Sequence, residues 1–202
     1  MQTTTWIIAL LLLSPADSTA PHPPAALTLQ STEALTAAQA ALKQARMLFY
    51  SSVEDKSRIT PAIAAFQELI RIRPEWEARA MTYIGALTAL QGKHSLLPHD
   101  KWHKANQGLK IMDQAVAQNP QDVEALFIHS STCTFLPFFF KRGKDAQNKF
   151  RLLVRLLPEN HQEFDPEMLK NVIQFISKRA KLSQEEIATL NRLKSELNLE
   201  SL

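Results

Sequence analysis

Ala62-x3-Phe66-x2-Leu69-x4-Pro74 decides how this chain is read, because the same spacing returns as Gly108-x3-Met112-x2-Ala115-x4-Pro120 and as Ala146-x3-Phe150-x2-Leu153-x4-Pro158. Each copy is a small residue, a large apolar one, a medium one and then proline. Offsets of four and seven residues bring the first three onto one helical face, and the proline stops that helix and opens another. The small residue admits a neighbouring helix closely and the large one fills the space between helices. A pattern that repeats in this way predicts a stack of similar helical units.

Outward from the repeat, the remaining segments carry the same period. Residues 34–52 are alanine-rich, with Leu35, Ala38, Leu42, Ala45 and Phe49 at helical spacing. The first copy lies in a helix expected at 60–73, with Thr60 as N-cap and Pro61 at its first position. The next helix, 74–91, carries Trp76, Ala80, Tyr83, Ile84 and Leu87 inward and is expected to end at Gly92. Residues 93–103 then interrupt the rhythm before a helix at 104–118. Another helix opens at Pro120 or Gln121 and runs through Val123, Leu126, Phe127, His129 and Ser130 toward Cys133. It closes in the turn Phe135-Leu136-Pro137-Phe138-Phe139-Phe140-Lys141-Arg142-Gly143. After the helix 144–157, Asp165-Pro166 starts one with the stripe Met168, Leu169, Val172, Ile173, Ile176. Ser183 and Glu186 form a capping box for the last, whose polar later half suits a terminal cap.

The three copies resemble the second-helix half of the tetratricopeptide repeat, small-x3-aromatic-x2-Ala-x4-Pro, over roughly residues 43–160. The Leu-Gly signature of the first helices is absent, and the copies are 46 and 38 residues apart, against about 34 for the family. The resemblance implies an all-α fold, a right-handed solenoid of antiparallel helix hairpins with about three repeats and a C-terminal capping helix pair, over residues 32–200. It also implies a concave groove for peptides or protein segments. Carried across, the groove positions are Met47, Leu48 and Ser51, then Met81, Thr82, Gly85 and Thr88, then Phe127, Ile128, Ser131 and Thr134. No Lys or Arg falls among them, so an apolar or uncharged peptide is the expected guest.

Both enlarged turns, 93–103 and 136–143, fall between the two helices of a unit, where a stack places equivalent turns on one edge. Leaving Trp102, Phe138, Phe139 and Phe140 in water forgoes roughly 1.5–3 kcal/mol each. They either fold back between repeats or form an anchor rimmed by Lys141 and Arg142, facing a partner protein or a membrane surface.

With 202 residues, 45% hydrophobic and only 4 glycines, the chain supports one helical domain. Its net charge of +3 is spread and interleaved with acids, which argues for a solvated surface rather than a nucleic-acid footprint. Residues 1–20 are expected to be an export signal, with an uncharged run Trp6–Leu13 and the small end Ser18-Thr19-Ala20, although no Lys or Arg precedes the run. Residues 21–31 are expected to be a proline-rich linker. The lone Cys133 excludes an intramolecular disulfide and is expected to be a buried small hydrophobe, and His129 a satisfied core histidine.

Sites of chemistry are scarce. His94, His99 and His103 share one insertion, but only Asp100 accompanies them, short of a zinc ligand set. There is no phosphate loop, no Gly-x-Ser-x-Gly elbow and no acid pair in an apolar setting. The expected function is therefore non-catalytic: a protein- or peptide-binding scaffold exported to the periplasm or cell envelope, using no cofactor, nucleic acid or small-molecule substrate. Its expected binding residues are Met81, Thr82, Thr88, Trp102, Phe127, Phe138, Phe139, Phe140 and Arg142. The rivals are a metal-dependent enzyme built on the three histidines and a membrane-peripheral protein inserting Phe138–Phe140.

Overall fold

The computed structural model describes residues 25–199, with side chains from residue 33. The expected export signal and the prolines of the expected linker lie outside that range. Two compact units are distinguished, Met1–Leu35 and Thr36–Leu202. Of the first, residues 25–35 are described and are helical; the packing and sites below concern the second.

The described residues are all-helical, with no strand among them: α1 (Ala25–Ser51), α2 (Ile59–Ile72), α3 (Glu77–Lys93), α4 (Pro98–Gln118), α5 (Val123–Phe135), α6 (Gly143–Asn160), α7 (Pro166–Arg179) and α8 (Gln184–Glu196), linked by four 3-10 turns. No described helix is long and apolar enough to cross a membrane. All three triads are core: Ala62, Phe66 and Leu69 on α2, Gly108, Met112 and Ala115 on α4, and Ala146, Phe150 and Leu153 on α6 are all buried. The large members fill the space between helices, as where Phe66 stacks on Tyr83 with ring centroids 4.4 Å apart.

Helices α3 and α4 approach closely. A Cβ placed on Gly108 would fall 2.3 Å from the Gly85 carbonyl oxygen, and one on Gly85 would fall 2.8 Å from the Gly108 oxygen. Two glycines facing one another let the backbones touch, which any side chain would prevent. Gly92 plays the same part against the Lys101 carbonyl and sits inside α3, so it is not the helix end its residue type suggested.

Other boundaries also differ from expectation. Helix α1 starts at Ala25, not near residue 34, because the proline run ends at Pro24 and Ala25-Ala26-Leu27 are strong helix formers. Asp55, not Thr60, caps the second helical run; it accepts from the Ser57 amide at 2.9 Å and starts a 3-10 turn that leads into α2. Pro98 opens α4 six residues early, where its missing N–H costs nothing, so the insertion shrinks to residues 94–97 and Trp102 is helical. Pro158 does not end α6, which continues to Asn160; at the last turn a proline forgoes one hydrogen bond only. The Asp165 cap and the Ser183/Glu186 capping box form as the spacing requires.

Candidate functional site

Helices α1, α3, α4, α5 and α7, with the turn after α5, enclose a cavity of about 920 Å³ open to solvent on one side. Phe49 and Tyr50 come from α1 and Val53 from the turn after it, Ala86, Ala89, Leu90 and Lys93 from α3, Pro98, Lys101, Trp102 and Ala105 from α4, and Phe127, Ile128 and Phe135 from α5. The 3-10 turn Phe138–Phe140 contributes Phe139 and Phe140, and α7 contributes Phe175. The segments expected as enlarged turns, 93–103 and 136–143, therefore meet at one cavity, the first through residues of α3 and α4 and not through a turn. Small residues at 86, 89 and 105 leave the space; the aromatics wall it.

Aromatic packing holds the walls. Phe175 lies edge-on to Phe127 at 5.6 Å and tilted to Phe135 at 5.9 Å, and Phe139 lies against Phe140 at 4.9 Å. The rim stays in water: Trp102 is 59% exposed, Phe135 67% and Phe139 56%. Lys141 takes the left-handed conformation (φ 56°) that turns the chain back after Phe140.

Of the nine residues expected to bind, Trp102, Phe127, Phe139 and Phe140 line this cavity, with Phe127 almost wholly buried at its floor. The others are elsewhere. Thr82 and Thr88 are buried and their hydroxyls donate to their own helix, to the Ala78 carbonyl at 2.9 Å and the Ile84 carbonyl at 2.8 Å, so they cannot meet a ligand. Met81 is half-buried against the core. Phe138 points away and is 92% exposed. Arg142 turns from the aromatic edge to Asp113, at 3.1 Å from Oδ1, and to Asp145 at 3.5 Å. Among the other inherited groove positions, Gly85 is covered by Met112 and Ile128 is 1% exposed. Phe49, Tyr50 and Phe175 were missed: Phe49 reads as ordinary core stripe, and Tyr50 and Phe175 stand outside the stripes of their helices.

A second polar feature sits between α4, α5 and α6. His129 Nε2 lies 2.8 Å from Asp113 Oδ1, and Nδ1 lies 3.5 Å from the Cys133 sulfur. Burial lowers the His129 pKa against the pull of Asp113, so the imidazole is neutral, and burial pushes the Cys133 thiol up to about 12. The order thiol, imidazole, carboxylate matches a nucleophilic triad, but the thiol is protonated and only 3% exposed. His129, Cys133 and Asp145 also offer ligand atoms within 4.8 Å of one another. Arg142 and Lys149 already pair with these acids, so a cation would have to displace them. His94, His99 and His103 do not belong to any such grouping among the described residues.

A third cluster was invisible in the sequence. Glu124 is wholly buried on α5 and accepts from Arg46 Nε at 2.6 Å and from the Tyr83 hydroxyl. Arg79 reaches Asp122 at 3.0 Å, Glu124 at 3.4 Å and Glu163 at 2.9 Å. Burial raises the Tyr83 pKa well above its usual value, so the phenol keeps its proton and donates. These bonds tie α1, α3, α5 and the turn before α7 together, on the frame that supports the cavity.

No protein-family model matches the chain, and no curated protein or solved structure does.

Proposed function

We propose that this chain is a non-catalytic binding module of the cell envelope, built as a stack of helix hairpins similar to tetratricopeptide repeats, which holds a partner by taking that partner's apolar portion into the cavity. The observation that carries the reading is the cavity itself: an open, nearly all-apolar space of about 920 Å³ with Trp102, Phe135 and Phe139 standing exposed at its rim. Exposed aromatics beside a ready-made cavity are what binding sites are made of, and the burial they forgo is recovered when a partner covers them. The likeness to hairpin repeats is supported by three buried triads at one spacing and by the close α3–α4 pair. Export rests on the composition of residues 1–20.

The test is a cross-linked capture from envelope extract with the full chain and with Thr132→Trp. Thr132 lines the cavity and is half-exposed, so an indole there fills the space without displacing core. Circular dichroism first establishes that the variant stays helical. Loss of a defined partner with Thr132→Trp is the expected result; a partner set unchanged by it sinks the reading.

A further inference from the structure

We infer that what enters the cavity is a long-chain fatty acid, its hydrocarbon lying between the helices and its carboxylate held at the mouth by Lys93 and Lys101. This rests on the cavity being the binding site, and it names the chemistry of the occupant.

Charge points to an anion. No Asp or Glu lines the cavity, while Lys93 and Lys101 both do. Lys93 Nζ donates to the Val53 carbonyl at 3.0 Å, and the exposed Lys101 ammonium has no acid or other acceptor among the described residues. A third cation, Arg179, stacks over the ring of the lining residue Phe135 at 5.7 Å. An ammonium that is not paired in the fold meets a carboxylate without first breaking an internal bond.

The walls point to a hydrocarbon. They are for the most part helices, whose backbone N–H and C=O groups are bonded within each helix, and the Ser131 hydroxyl is already given to the Ile128 carbonyl at 3.1 Å. An extended peptide drawn inside would lose water from its own amides, and the hydroxyls of the lining, those of Tyr50, Ser131 and Thr132, are too few to replace it. An alkyl chain carries no such groups. The volume, about 920 Å³, stands at the upper end of the roughly 300–1,000 Å³ that takes a small lipophilic molecule almost whole. Each methylene buried there raises affinity about fourfold until the space is full.

The chain has 3 tryptophans, so the full chain carrying Trp6→Phe and Trp76→Phe reports from Trp102 alone, on the cavity wall. The probe is dibromostearic acid, whose bromines quench an adjacent indole, added below its micelle concentration. We expect saturable quenching at one site, affinity rising with chain length in competition from decanoic to hexadecanoic acid, and a loss of about tenfold for the methyl ester and for Lys93→Gln/Lys101→Gln. Absence of saturable quenching overturns the inference, as does equal affinity for the methyl ester. So does quenching by brominated-phospholipid vesicles alone, which would make the site a membrane contact, and so does displacement of the acid by an apolar helical peptide at lower concentration. If the acid fails to bind while Thr132→Trp still abolishes partner capture, the fatty-acid inference falls alone. If Thr132→Trp keeps every partner, the cavity reading falls first.

Discussion

Replacing Gly108 by alanine adds one carbon where two helices already touch. Its Cβ would lie 2.3 Å from the Gly85 oxygen, 2.5 Å from the Ala89 nitrogen and 2.8 Å from the Ala89 Cβ, two of them backbone atoms of a helix that cannot bend away locally. Ordinary contact begins near 3.4 Å, so α3 and α4 must part by about 1 Å. A gap of that size forfeits a quarter to a half of each contact's roughly 0.1–0.2 kcal/mol, and even the 40–60 contacts of one buried leucine then amount to a loss of about 1–6 kcal/mol. Measured overpacking penalties of about 1–3 kcal/mol favour the lower half of that range. Alanine returns about 1 kcal/mol through its better helix propensity. The net expectation is a loss of about 1 kcal/mol, or a Tm lower by about 2–4 °C for a chain of this length. Gly143 is the control: nothing stands within 4 Å of its Cβ direction and its φ is not positive, so Gly143→Ala should be neutral or gain up to about 1 kcal/mol. Thermal unfolding of the two variants, followed by circular dichroism, decides the matter. A Gly108→Ala chain as stable as the parent, or a Gly143→Ala chain equally damaged, refutes the reasoning.

Two more outcomes follow from the polar clusters. Glu124→Ala leaves Arg46 and Arg79 beside a buried void, and urea unfolding should register a loss of about 3–5 kcal/mol; a loss under about 1 kcal/mol would mean the network is not a brace. The His129 pKa is lowered in the fold, so on acidification the unfolded chain takes up the proton first. Stability from this group is full above the ordinary histidine value of about 6.5 and is lost as pH falls from there toward the folded value, by at most about 1.4 kcal/mol per pH unit. Asp113, whose pKa is also lowered, loses stability with acid only below the ordinary carboxylate range, while Asp122, raised by burial, acts in the opposite sense. The difference between parent and His129→Gln isolates the histidine: urea midpoints at pH 7.5 and 5.5 should fall more for the parent, and parallel falls would show that His129 does not titrate in this window.

The helical class and its units are written in local sequence. Four- and seven-residue offsets at Ala62, Phe66 and Leu69 and their two copies place side chains on one face whatever surrounds them, and Asp165 and Ser183 cap their own helices through atoms three residues away. Such signals act over one or two turns, so they survive being read without a fold. The site does not have that property. Its walls are drawn from residues 49 to 175, and whether a helix position meets solvent, core or cavity depends on which neighbours close over it. Helices α3 and α5 lie in the middle of the structure and are buried almost all round, leaving no polar face from which to infer a groove. That is why Thr82 and Thr88 looked like ligands and are core, why Arg142 looked like a rim and is spoken for by Asp113, and why Glu124, an acid among apolar residues, gave no sign that Arg46 and Arg79 would converge on it. Period determines which residues share a face; only packing decides what that face meets.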